Sequence, residues 1–306
     1  MKTLLFTLLL IQASLLYGTI QSKAIYGDDD RFEAINHPNQ HLVEQSRSVA
    51  AMVHANKLIL SETPGIIDFK KSTLDEVMKN GLCPGERYAE QYSLATCSGF
   101  LIASDTILTA GHCVENEKDC VRYKWIFDFD NHSEYFSQDN VYSCKKVIKQ
   151  ALVERRRTLK DYSIVQLDRS VIGRTPLDFN RTGLLKSAQP LAVIGHPMGL
   201  PLKIASNGKS QKWNDDEKKH FLSNIFKRFW FFRASVDSFA GNSGSPVINT
   251  QTQLVEGILI KGAPDYTLTY EFGEPCQKAV IYPDHDTEAE EVVFKFGQLQ
   301  YIKDNF

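Results

Sequence analysis

From Cys97 onward the chain alternates short apolar, β-branched runs with turn residues, and this rhythm limits the fold more than any other feature. The runs cover 98–103, 106–110, 124–129, 141–148 and 163–167, then 191–195, 202–205, 229–236, 246–248 and 254–260, with a further strand expected at 48–53. Strands this short, at this spacing, belong to all-β barrels or sandwiches and not to alternating strand–helix units. A break near 170–180 divides them into two series. At 306 residues the chain is long enough for two halves that share one cleft.

The flanks read differently. Met1-Lys2 followed by the apolar run 4–16 has the form of a secretory signal peptide, which we place at 1–24; Gly18 offers a second cleavage point. Residues 25–46 are polar, with Asp28-Asp29-Asp30-Arg31 near their start, and read as a solvated arm. Within 47–170, the first half, an insertion at 54–96 carries one short helix, because Thr73 and Glu76 form a capping box and Asn80-Gly81 a stop. The second half spans 171–265, and in it 213–227, rich in Asp, Glu and Lys, reads as an exposed loop or short helix. In the tail, 266–306, Val292, Phe296, Leu299 and Lys303 recur at helical spacing after Thr287-x-x-Glu290, so a C-terminal helix is expected.

Composition excludes several function classes. Thirty-five basic and 37 acidic residues leave a net charge of −2, which points to neither a nucleic-acid nor a membrane-surface partner. Once the signal is removed, no run is apolar enough to span a bilayer. Six cysteines behind an export signal read as disulfide partners of a secreted protein, and six allow fifteen connectivities. None has zinc-ligand spacing, so neither metal nor cofactor is expected.

Chemistry concentrates in Phe239-Ala240-Gly241-Asn242-Ser243-Gly244-Ser245-Pro246-Val247, where a serine is surrounded by small residues. A serine hydroxyl needs a base, a group to orient that base, and donors for the oxyanion. His112, in Thr109-Ala110-Gly111-His112-Cys113, leaves a strand end and suits the base. The orienting carboxylate is assigned to Asp161 in Asp161-Tyr162-Ser163-Ile164-Val165-Gln166-Leu167, ahead of Asp128, Asp130 and Asp168. Arg155-Arg156-Arg157 beside it reads as a solvated loop.

TAGHC, DYSIVQL and GNSGSPV, in that order, resemble the chymotrypsin/trypsin-like serine peptidases over about 45–265, and the GNSGSP form resembles secreted bacterial-type members such as glutamyl endopeptidases. The resemblance implies two six-stranded antiparallel β-barrels, with His112 and Asp161 from the first and Ser243 from the second. It implies a serine endopeptidase that forms an acyl-enzyme, an oxyanion hole from the amides of Gly241 and Ser243, a protein or peptide substrate, and a monomer. It also implies a Cys97–Cys113 bridge. The pairing of Cys83, Cys120, Cys144 and Cys276 stays open, with Cys120–Cys144 and Cys83–Cys276 as the guess for the remainder. A catalytically inactive binding protein on the same fold is the alternative.

The departures bear on activation and specificity. Digestive trypsins carry an aspartate just before the nucleophile, where this chain has Asn242, so activation by an Ile25-to-Asn242 ion pair is not expected although Ile25-Tyr26-Gly27 looks like a trypsin amino terminus. Asp237, six residues before Ser243, matches the pocket-floor aspartate of trypsins. With Ser238 and Gly262 it would bind an Arg or Lys side chain. Gly257 to Gly262 contains no histidine of the kind glutamyl endopeptidases use, so glutamate preference is not expected. His196, in Gly195-His196-Pro197, reads as a turn residue, and Asn131 and Asn180 stand in glycosylation sequons.

Overall fold

The computed structural model describes residues 25–155, 158–211, 229–262, 265–282 and 291–306. The segment 1–24 expected to be a signal, the charged stretch at 213–227, and Arg156 and Arg157 lie outside the described residues.

Two closed barrels of six antiparallel strands form the body, as the sequence rhythm and the resemblance led us to expect. The first is built from Val49–His54, Cys97–Ala103, Thr106–Thr109, Tyr123–Ile126, Val141–Arg155 and Thr158–Leu167. The second uses Pro190–Gly195, Lys203–Gln211, Phe231–Ala234, Pro246–Asn249, Val255–Lys261 and Glu291–Phe294. In both, strands neighbour one another in the order first, second, third, sixth, fifth, fourth, and the fourth closes on the first. The halves are thus topological repeats, although the sequence shows no repeat.

Strand periodicity explains how one chain fills several cores. Successive side chains point to opposite faces, and both faces are buried here. Leu191 and Val193 fill the second barrel with Ala205, Phe232, Val247, Leu259 and Val293. Their neighbours Ala192 and Ile194 join Ile204, Phe231, Ile248, Ile258 and Phe294 in the large cluster that continues into the first barrel. Val49–His54 divides likewise: Ala50 and Met52 face that large cluster, while Ala51 and Val53 face a smaller one with Ile67, Phe69, Phe129 and Phe136 beneath the insertion. Between the barrels Tyr162 stacks on Phe294 at 5.7 Å, and Phe296 meets Phe100 and Phe179. Runs apolar on both faces are what such double burial demands.

The insertion contains the expected helix as a single turn, Leu74–Val77, with both halves of the Thr73–Glu76 capping box formed and Asn80 and Gly81 at positive φ beyond it. All three disulfides are present: Cys83–Cys276, Cys97–Cys113 and Cys120–Cys144.

Three expectations are corrected. The arm at 25–46 is not a solvated strand of chain. Ile25, Tyr26, Asp30, Arg31, Ala34 and Leu42 are buried, and Arg31–Glu33 pairs with Lys203–Ala205 at the edge of the second barrel. Its charges can be buried because they are paired: Arg31 forks onto Asp29 at 2.7 and 2.8 Å, and Asp30 accepts backbone N–H groups. The region after 265 is more than a tail, since it contributes a hairpin, Tyr266–Glu271 with Glu274–Ala279, and the sixth strand of the second barrel. The C-terminal helix is Gln300–Asn305 only; Val292 belongs to a strand, Phe296 to a 3-10 turn, and Thr287 to Glu290 lie outside the described residues.

Candidate active site

Register places the first barrel's two candidates side by side. Thr109 pairs with Ser163 across neighbouring antiparallel strands. Two residues further along, Gly111 and His112 leave the sheet opposite Asp161. The approach is close: a Cβ on Gly111 would lie 2.5 Å from the Ala151 carbonyl oxygen and 2.8 Å from the Tyr162 nitrogen, so a side chain at 111 would push His112 away. His112 Nδ1 lies 2.8 Å from Asp161 Oδ2, and the His112 backbone N–H donates to Asp161 Oδ1 at 3.0 Å. Asp161 is buried, whereas the imidazole is partly open to solvent.

The competing carboxylates are engaged elsewhere. Asp128 pairs with Arg174 at 2.6 Å, Asp130 accepts from the amide of His132 in its own loop, and Asp168 pairs with Arg169.

Ser243 is carried on a tight loop of the second barrel that the first barrel grips. The Ser98 amide donates to the Ser243 carbonyl at 2.8 Å, and the Ser98 hydroxyl donates to the Gly241 carbonyl at 2.9 Å. That hydroxyl also accepts the His196 amide at 3.0 Å. Cys113, the neighbour of His112, brings its sulfur within 3.7 Å of the Ser243 carbonyl oxygen. Among the described residues no hydrogen bond joins the Ser243 hydroxyl to His112; in unliganded sites of this kind that contact commonly tightens only with substrate bound. Ser98 is a tether that sequence reasoning missed, and nothing in Cys97-Ser98-Gly99-Phe100 sets it apart from an ordinary strand residue.

Backbone donors in this loop divide into used and unused. Asn242 N–H donates to Phe239, Gly244 N–H to Leu259 and Ser245 N–H to Asn242. The amides of Gly241 and Ser243 donate to none of the described residues. Gly241 holds φ at 92°, and a Cβ there would lie 2.4 Å from the His196 carbonyl oxygen, so only glycine fits. His196 itself is a buried structural residue, as expected. Its Nδ1 donates to the Leu200 carbonyl at 2.9 Å, its ring stacks on Phe129, and burial holds its pKa down to about 4.

A cavity beside Ser243 is lined by Ser238, Phe239, Ala240, Leu259, Lys261, Gly262 and Asp265. Ser238 and Gly262 are among its lining residues, but Asp237 is not. Asp237 is 3% exposed, and its oxygens accept from the amides of Tyr26 at 2.8 Å and Asp30 at 2.9 Å. The acid in the cavity is Asp265, whose Oδ2 accepts the Ala240 amide at 2.7 Å and whose pKa burial pushes up to about 6. No spacing rule could find it, because it stands at the start of the inserted hairpin. Cys97, His112 and Cys113 bring possible ligand atoms within 4.8 Å, but the two sulfurs are joined in a disulfide and offer no thiolate to a metal.

No curated protein sequence matches this chain. Among solved structures, the secreted serine protease VesC from Vibrio cholerae aligns with a TM-score of 0.50 at 12% identity, covering 84% of this chain and 45% of its own. That likeness supports the fold. A Glu endopeptidase aligns at 15% identity and TM-score 0.49 over 92% of this chain and 96% of its own. The Vibrio cholerae VesB protease aligns at 16% identity and TM-score 0.48 over 84% of this chain, which spans 62% of the VesB chain. The model of the trypsin-like peptidase domain matches residues 97–258, which run from the first cysteine of the His112 bridge to the strand beyond Ser243 and make up more than half of the sequence. On that match, and on the two barrels that carry it, the chain belongs to the trypsin-like peptidase family.

Proposed function

We infer that the protein is a serine endopeptidase acting on proteins or peptides, in which Ser243, His112 and Asp161 form the catalytic triad. The observation that carries this reading is the doubly held His112: one Asp161 oxygen accepts from the ring and the other from the backbone, beside a serine loop with two unspent amides. In this mechanism Asp161 fixes the tautomer with the proton on Nδ1, leaving Nε2 to take the Ser243 proton as the hydroxyl attacks the scissile carbonyl. The oxyanion is received by the amides of Gly241 and Ser243, a donor of this kind being worth about 2.7–4 kcal/mol. The imidazolium then protonates the leaving amine, and water, activated by the same base, releases the acyl-enzyme.

A preference for Arg or Lys before the scissile bond fits the cavity through Asp265, not Asp237. Lys261, exposed at the same cavity, is the residue that would favour an acidic side chain instead. Secretion accords with three disulfides, which persist in oxidising compartments. Ser243→Ala tests the reading: kcat on a protein substrate should fall about 10⁶-fold. An activated-serine organophosphonate should label the wild type at Ser243 alone. Retention of most activity in the variant would remove the mechanism, and an unlabelled, inactive wild type would favour a binding protein on a peptidase fold.

A further inference from the structure

We propose that Asp237 is a positioning residue: it clamps residues 25–31 against the back of the loop 237–243 and thereby holds the amides of Gly241 and Ser243 in place. Both its oxygens are occupied by the arm, one by Tyr26 N–H and one by Asp30 N–H. The clamp is continuous with the barrel, because Asp30 Oδ2 accepts the amides of Ser206 and Asn207, each at 2.6 Å, at the middle of a barrel strand. It is also continuous with the cavity wall. Ile25 packs on Phe239, the Arg31 guanidinium lies 4.0 Å from the centroid of the same ring, and Tyr266 meets that ring at 5.5 Å. Phe239 is fixed between these groups, and its carbonyl accepts the Asn242 amide at 3.0 Å, which folds the turn whose next residue is Ser243.

The arrangement performs by backbone amides what an ion pair to the residue before the nucleophile cannot do here, since Asn242 carries no charge. The Asn242 side chain meets Ser238 at 3.4 Å, while the Ile25 amide donates to the Val280 carbonyl at 3.2 Å. No α-amino group is required at Asp237, so the arm can act with or without residues preceding Ile25. Removing the Asp237 side chain takes its two oxygens away from the amides of Tyr26 and Asp30 and frees the start of the loop. A misplacement of the reacting geometry by about 1 Å costs on the order of 100-fold in rate.

The kinetic part of this inference rests on the peptidase reading; the structural part is read without activity. In the full chain, hydrogen exchange over 237–244 and initial rates on a peptide substrate are measured for wild type, Asp237→Ala, Asp237→Asn and Tyr26→Pro, the last deleting an amide donor while sparing Asp237, with Tyr26→Phe as the control for the Tyr26 hydroxyl's bond to Glu291. Exchange in the loop should rise about tenfold or more in Asp237→Ala and Tyr26→Pro. The same two variants should lose about 10- to 100-fold in kcat with KM changed less than about threefold. Asp237→Asn, which keeps one good acceptor, should fall between them and wild type, and side-chain preference before the scissile bond should not move. Unchanged exchange, or retained kcat with an altered preference, would overturn the clamp. If Asp237→Ala does not fold, Tyr26→Pro decides by the same criteria. Raised exchange in variants of a chain that shows no Ser243-dependent hydrolysis would leave the clamp standing and sink the peptidase reading alone.

Discussion

Asp161 holds His112 at two points, the ring nitrogen at 2.8 Å and the backbone amide at 3.0 Å. One carboxylate thus sets both where the imidazole begins and which way it faces. Asp161→Asn keeps the size but presents an NH₂ group to one of two donors, so the ring turns or adopts the wrong tautomer. The expected loss is about ten-thousand-fold in kcat, with KM little changed. A kcat within tenfold of wild type in steady-state assays would show that another group orients the histidine.

Gly241 tests the oxyanion loop without touching a titrating group. An alanine there must hold φ near 92° and place its methyl 2.4 Å from the His196 carbonyl oxygen, so the loop has to shift. Backbone strain of this kind costs about 1–3 kcal/mol, and a displaced donor costs about 10²–10³ in kcat. Gly241→Ala should therefore combine a lowered melting temperature with a larger loss of kcat. Stopped-flow acylation would show the loss in the acylation step, while substrate binding stays near wild type.

What the sequence showed and what it hid follow from the range of each interaction. His112, Asp161 and Ser243 stand in motifs whose neighbours shape them locally, so each could be put forward as a candidate without knowing the fold. Asp237 was misplaced because its partners, the amides of Tyr26 and Asp30, lie more than 200 residues away and carry no side-chain signature. The same blindness made the arm look solvated: Asp29, Asp30 and Arg31 are charged in sequence, but paired or capped once folded. Val292, Phe296 and Leu299 satisfy a helical period, yet Val293 and Phe294 are fully buried as well. Four consecutive buried residues on two faces describe a core strand, which periodicity alone does not separate from a helix. Asp265 escaped notice because a hairpin of unforeseen length separates the cavity wall from the last barrel strand.

Asp265 should confer the preference for a basic side chain, and should do so only when ionised. Burial pushes its pKa up to about 6, while the Ala240 amide and the Arg31 cation oppose that rise, and Lys261 is the other charge on the cavity. Hydrolysis of an Arg substrate relative to one with a neutral side chain should fall as pH drops through about 6, a ratio from which any effect common to both substrates cancels. Asp265→Asn should lower the ratio by about 10- to 100-fold, the worth of a hydrogen bond to a charged group, and flatten its pH dependence. A library profile unchanged in Asp265→Asn would place the specificity elsewhere, and a profile favouring acidic residues would point to Lys261.

His196 should make stability depend on pH in a defined window. Burial lowers its pKa from 6.5 to about 4, the Leu200 carbonyl opposing and the Lys203 cation adding to the shift. Between these values the unfolded chain binds the proton and the folded chain does not, so unfolding becomes easier as pH falls. The stabilisation is complete above about 6.5 and is lost progressively down to about 4, by about 3 kcal/mol in all. Urea unfolding from pH 7 to 4.5 should show this slope in wild type. His196→Gln, neutral throughout, should start less stable because the stack on Phe129 at 5.8 Å is gone, yet lose less on acidification. Parallel slopes in the two proteins would mean that another group controls the acid transition.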